Sequence, residues 1–166
     1  PLDFLGVNIN RASLTHATQE DNHQIVDLTS GNARNTMGWA ITPEAMYWGP
    51  KFLSERYNVP LYITENGIAN TDWIARDGKV HDPQRIDFTA AYLDALRRAS
   101  TEGVDIRGYF HWSLMDNFEW AEGYNPRLGL IYVDYSNQKR LLKDSADWYA
   151  RVISSNGSVL DFEEDA

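Results

Sequence analysis

Three times along this chain a short apolar run ends in polar residues and gives way to a helix-like pattern. That recurrence sharply limits the available folds. Leu2-Asp3-Phe4-Leu5-Gly6-Val7-Asn8 reads as a buried strand bounded by polar residues. Pro60-Leu61-Tyr62-Ile63-Thr64 is the second strand, running into Glu65-Asn66-Gly67, and Ile106 to Ser113 is the third. Each precedes a predicted helix. Thr42-Pro43-Glu44 supplies a hydroxyl N-cap, a proline at the first helical position and an acid in the first turn. This helix should run to about Tyr57, with a kink at Gly49-Pro50. Asp82-Pro83 opens the next helix, where Ile86, Ala90, Leu93 and Leu96 share one apolar face and Gly103 ends the pattern. The last helix covers about Leu142 to Ser154, with Trp148 and Val152 on one side.

Alternating strands and helices imply parallel strands joined by right-handed crossovers. Three strands do not close a barrel. The pattern therefore fits either a compact three-layer α/β domain or part of something larger. Two connections are long. Asn10 to Trp39 is a polar stretch of about thirty residues, and loops of that length in compact domains carry function or mobility. Leu114 to Arg127 is a loop rich in aromatics and acids, and Asp77-Gly78 reads as a turn. The tail, residues 161–166, is acidic and expected to fray.

Composition excludes several function classes. The net charge of −9, with a pI near 4.8, repels a phosphate backbone, so nucleic acid is not an expected partner. An anionic membrane surface is disfavoured for the same reason. No apolar run reaches the roughly 18 residues of a bilayer span. With no cysteine, thiolate metal sites, disulfides and thiol nucleophiles are ruled out. The N-terminal residues lack a basic-then-apolar signal pattern, which favours a cytoplasmic setting. Aromatics make up 13% of the chain, including 6 Trp and 9 Tyr, and aromatic faces suit sugar rings as well as cores.

In parallel α/β folds the chemistry gathers at the carboxyl ends of the strands. Here those ends carry Asn8, Glu65-Asn66 and Trp112-Ser113. A rigidly mounted carboxylate facing a cleft can serve as nucleophile or general base, although a lone Glu is more simply a capping or solvated acid. His16, His23, His81 and His111 show no ligand spacing, and His111 should face away from Trp112 and pack. Asp116 and Glu122 read as loop acids rather than a metal site, and Asn156-Gly157-Ser158 is a glycosylation tripeptide of low specificity.

Two blocks change the weight given to Glu65. Tyr62-Ile63-Thr64-Glu65-Asn66-Gly67 and the run from Phe110-His111-Trp112-Ser113 through Asp116-Asn117-Phe118-Glu119-Trp120 closely resemble family 1 glycoside hydrolases, the β-glucosidase family. Further matches are Asp3 to Asn8, Met37-Gly38-Trp39, Pro43-Glu44, Gly123-Tyr124, Arg127 to Leu130, Tyr132 to Asp134, and Arg140, Lys143, Ser145 and Trp148. The resemblance implies a (β/α)8 barrel, with residues 1–160 as its last three βα units. On this resemblance Glu65 is the nucleophile and Trp112 lies under the glycone ring. Glu119 holds the O4 and O6 hydroxyls, and Trp120 donates to a ring hydroxyl, usually O3. No cofactor is implied. The substrate would be a β-glucoside or short β-linked oligosaccharide.

Two departures accompany the match. Retaining hydrolysis uses two carboxylates about 5–5.5 Å apart. The family's acid/base lies in an Asn-Glu-Pro motif, which is absent here, so the resemblance implies a further partner: the N-terminal part of the same barrel. Where the family has a tyrosine that hydrogen-bonds the nucleophile, this chain reads Asn8-Ile9-Asn10-Arg11, leaving Asn10 or Arg11 to orient Glu65. Rival readings are β-galactoside, β-fucoside or 6-phospho-β-glycoside specificity, and a non-catalytic sugar-binding or scaffold protein. The Glu119-Trp120 pair argues against the phosphorylated class.

Overall fold

The computed structural model describes residues 2–17, 23–26 and 31–160. In chain order the elements are β1 (Leu5–Asn8), a hairpin of β2 (Leu14–Ala17) and β3 (His23–Val26), helix α1 (Ala45–Tyr57), β4 (Leu61–Asn66), α2 (Pro83–Thr101) and β5 (Ile106–His111). A second hairpin, β6 (Ile131–Asp134) and β7 (Lys139–Leu142), leads into α3 (Asp144–Ser154). Strands β1, β4 and β5 form one parallel sheet in that order, with β4 central. The predicted three βα units are therefore present, and their sheet is open.

Alternation along the strands decides which side is core. Leu61 and Ile63 are fully buried against the helices, in clusters with Met46, Tyr47, Ile68, Phe88, Tyr92, Leu96 and Ala99. The opposite face carries Tyr62, with Phe4 edge-on to it at 5.3 Å between ring centroids. Phe4 is 56% exposed and Phe110 57% exposed. On the outer side of α1, Trp48, Phe52 and Tyr57 are also exposed. Large apolar surface on the uncovered sheet face is what an unclosed barrel presents, because only closure would bury it.

Several local expectations need correction. The long polar stretch after β1 holds the antiparallel β2–β3 hairpin, paired Leu14 with Val26 and Thr15 with Ile25. Its few apolar residues were too diluted to show a period of two. Leu142, expected to open the last helix, instead closes strand β7, and α3 begins at Asp144, since pairing of Leu142 with Ile131 of β6 outweighs the helix propensity of Leu. Pro50 is buried inside α1, which continues unbroken to Tyr57. The Thr42 hydroxyl does not cap α1 but accepts the Ala12 N–H at 2.8 Å. Asp82 sits at the start of α2 as expected, yet its carboxylate serves Arg85 and Ser145 instead of the helix N-terminus. Helix α2 has two buried sides. Phe88, Tyr92 and Leu96 face the sheet, whereas Ala90 and Leu93 meet Val152, Trp148 and Tyr149 of α3. Gly103 ends this helix with φ +101°, a conformation that favours glycine. The acidic tail, 161–166, lies outside the described residues.

Candidate active site

Glu65 stands at the carboxyl end of the central strand, level with Asn8 on β1. The Ile9 N–H donates to the Glu65 carbonyl at 3.0 Å, and the Trp112 N–H donates to the Asn66 carbonyl at 2.8 Å. Asn8, Glu65 and Trp112 are thereby brought side by side across three strand ends. Asn66 pins them from below. Its buried amide donates to the Ile9 carbonyl at 2.8 Å and accepts the Tyr109 hydroxyl at 2.7 Å. Thr64 adds a hydroxyl bond to Asn8 Oδ1 at 2.7 Å. The Trp112 carbonyl lies so close over Gly67 that a Cβ there would be 1.8 Å from its oxygen, so only glycine fits.

The Glu65 side chain is half-buried and makes no hydrogen bond or ion pair with the described residues. Asn10 offers its backbone carbonyl to Tyr92 Oη at 3.3 Å, and its side chain makes no bond to Glu65. Arg11 lies 5.0 Å over the Trp39 ring. Neither residue touches the Glu65 carboxylate in this conformation.

Glu119 and Trp120 come from the loop after β5. The Trp112–Ser113 peptide at the loop's start is cis. Ser113 and Asn117 brace the next turn through the Ser113 hydroxyl and the Met115 carbonyl. The Glu119 N–H then closes onto the Gly123 carbonyl at 2.7 Å, forming a tight turn with Trp120 at φ +42°. This turn leaves the Trp120 indole 81% exposed. Glu119 Oε2, in contrast, is buried with no hydrogen-bond partner among the described residues. A buried carboxylate oxygen without donors costs free energy unless a ligand supplies them. Beside an exposed indole, that combination suits a polyol with one apolar face.

Beneath this loop lies an ionic network that the sequence pattern did not disclose. Asp116 Oδ1 accepts from Lys143 Nζ and the Gly129 N–H, and Oδ2 accepts from Arg127 Nη1 and the Val133 N–H. Lys143 also reaches Asp72 at 2.6 Å, and Arg85 joins Asp72 to Asp82. Three cations thus face three carboxylates. Burial lowers the Lys143 pKa, and Arg85 lowers it further, against the pull of Asp72 and Asp116. Asp116, expected only as a loop acid, is the anchor of the loop. Its partners Arg127, Gly129, Val133 and Lys143 all lie within segments of the family resemblance, but no spacing rule pairs them with Asp116, from which they stand 11 to 27 positions away. Glu122 stays on the exposed part of the turn.

His111 faces the helices, near Tyr149, as its alternation with Trp112 predicts. Burial, with Arg85 and Lys143 nearby, holds its pKa down to about 3. The folded protein therefore keeps His111 neutral where the unfolded chain, near 6.5, takes up a proton. Stability from this residue is complete above about pH 6.5 and falls as pH drops toward about 3. Urea titrations at pH 7 and pH 4.5 should show a smaller acid loss for His111→Gln than for the parent. Equal losses would remove His111 as a contributor.

The strand-end carboxylate, the bracing asparagines and the indole-bearing loop gather at the carboxyl end of one open parallel α/β sheet, the fold class of a barrel fragment. The chain belongs to glycosyl hydrolase family 1, whose sequence model matches residues 3–158. It is 46% identical to β-glucosidase A of Thermotoga maritima over 157 residues, covering 94% of this chain and 35% of that protein. It is also 43% identical to a bifunctional β-D-glucosidase/β-D-fucosidase of Bifidobacterium breve, across 95% of this chain and 38% of the relative. The solved T. maritima β-glucosidase in complex with glucoimidazole superposes with a TM-score of 0.88 at 46% identity, over 95% of this chain and 36% of that one. The chain thus spans about a third of the length of the relatives it matches.

Proposed function

We propose that this chain carries the nucleophile and the glycone-recognition loop of a retaining β-glucosidase. The observation that carries the reading is the pairing of an unengaged Glu65 at the central strand end with the unpartnered Glu119 oxygen beside exposed Trp120. One oxygen of the ionised Glu65 attacks the anomeric carbon as the bond to the leaving-group oxygen breaks. A carboxylic acid from the remainder of the barrel donates the proton that oxygen needs. The same group then deprotonates water, which displaces Glu65 and releases the sugar. Trp112 and Trp120 supply apolar and N–H contacts to the ring, and Glu119 accepts from two hydroxyls. Asn10, standing two residues after the β1 strand end, takes the orienting role toward Glu65 that the family's tyrosine fills. The substrates are β-glucosides and short β-linked oligosaccharides, and the partner is the N-terminal part of the barrel.

A 2-deoxy-2-fluoro glucoside with a good leaving group tests this directly, because the fluorine slows breakdown of the glycosyl-enzyme. The chain, joined with the rest of a family barrel, should accumulate one fluoroglucosyl adduct. Peptide mapping should find it within Tyr62-Ile63-Thr64-Glu65-Asn66-Gly67, and Glu65→Gln should abolish it. Labelling at Glu119, or turnover with inversion and no adduct, would overturn the assignment.

A further inference from the structure

A cavity of about 380 Å3 opens between the segment that joins β3 to α1 and the segment after β4 with the start of α2. Its volume lies in the range of about 300–1,000 Å3 typical of small-ligand pockets. Arg34, Asn35 and Thr36 form one wall. Asn70 to Trp73, with His81, Pro83 and Gln84, form the other, and a hydrogen bond from the Thr36 N–H to the Ala69 carbonyl at 3.2 Å joins the two.

The lining divides into groups already engaged and groups that are not. Asn35 Oδ1 accepts from the Met37 and Trp39 N–H groups, fixing that wall. Asp72 is held by Arg85 and Lys143. His81 is clamped between Asp144 at 2.6 Å and Asp77 at 3.0 Å. The side chains of Thr36, Asn70, Thr71 and Gln84 make no hydrogen bond with the described residues, and Trp73 is 70% exposed. A rigid frame thus presents two amides, two hydroxyls and one indole face.

We propose that this cavity is a second, non-catalytic carbohydrate site in which Trp73 stacks on a glucopyranose ring of a β-linked oligosaccharide. A gluco-configured β-pyranose has equatorial substituents, so its axial C–H groups form a flat apolar face while its hydroxyls ring the edge. The indole matches the face, and amides and hydroxyls match the edge. A protein partner would want a more apolar lining, and a phosphate would want a cation not already engaged. The choice of a β-linked glucan rests on the proposed function, whereas the ring-stacking geometry does not.

The experiment follows the indole N–H resonances of the full chain by NMR during titration with cellotetraose. The Trp73 signal should shift saturably, with Kd about 1 mM. Trp73→Ala should weaken the affinity seen at neighbouring Asn70 and Gln84 amides by at least about tenfold. Thr71→Val, a change at an exposed position, should weaken it by a smaller factor. A Trp73 resonance that does not move, unchanged affinity in Trp73→Ala, or an equal response to the open-chain polyol sorbitol would each overturn the proposal. Failure here leaves fluoroglucosyl labelling of Glu65 untouched, and failure of that labelling leaves the Trp73 titration untouched.

Discussion

Joined with the rest of a family barrel, the Glu65→Gln chain should hydrolyse aryl β-glucosides on the order of 10^4- to 10^6-fold more slowly than the parent. The amide keeps nearly the shape of the carboxylate, so Asn66, Gly67 and the strand-end register should survive. What disappears is the oxygen nucleophile, and with it the route through a glycosyl-enzyme. Initial rates with an aryl β-glucoside, at equal folded concentration by near-ultraviolet circular dichroism, measure the loss. A fall of less than about 10^2-fold would mean that another group attacks the anomeric carbon. The chain alone should show no turnover above background, because it supplies one carboxylate of the required pair.

Replacing Lys143 by methionine should cost about 3–5 kcal/mol of stability, the range for breaking one side of a buried ion pair. Methionine fills similar space but leaves Asp72 and Asp116 facing each other without the ammonium that separates them. For a chain of this size the loss corresponds to a fall in Tm of roughly 6–20 °C. Lys79→Met, at an exposed position, should stay within about 0.5 kcal/mol and serves as the control. Urea unfolding of the two variants beside the parent decides the matter. A Lys143→Met cost under about 1 kcal/mol would mean that the carboxylates are protonated or rehydrated at little expense. The same network anchors Asp116, three residues before Glu119, so this substitution should also loosen the loop that presents Glu119 and Trp120.

The order of strands and helices was legible in the chain itself. Strand runs of Leu, Ile, Val and Tyr, closed by Asn8, Glu65-Asn66 and Trp112-Ser113, announce parallel strands with polar ends, although only β4 is buried as expected, while Leu2 and Phe4 before β1 stay exposed on the open sheet. Gly103 and the Asp82-Pro83 start were equally plain, since backbone conformation restricts residue choice locally. The family, and Glu65 as its candidate nucleophile, followed from contiguous motifs.

Features made by long-range pairing left no such trace. The β2–β3 and β6–β7 hairpins are held by cross-strand hydrogen bonds that polar residues make as well as apolar ones. Asp82 looked like a helix cap, but its carboxylate pairs with Arg85 one turn on and with Ser145, which tertiary structure brings from 63 positions away, and these three buried bonds outweigh one capping bond. The Asp72–Lys143–Asp116 cluster joins residues as much as 71 positions apart. The unpartnered oxygen of Glu119, the exposure of Trp120 and the Trp73 cavity belong to the same class. Sequence alone determines where the strands end and which carboxylate stands there, because these depend on neighbours along the chain. Only the tertiary structure decided which polar atoms are satisfied and which remain open to a ligand, because that depends on neighbours in space.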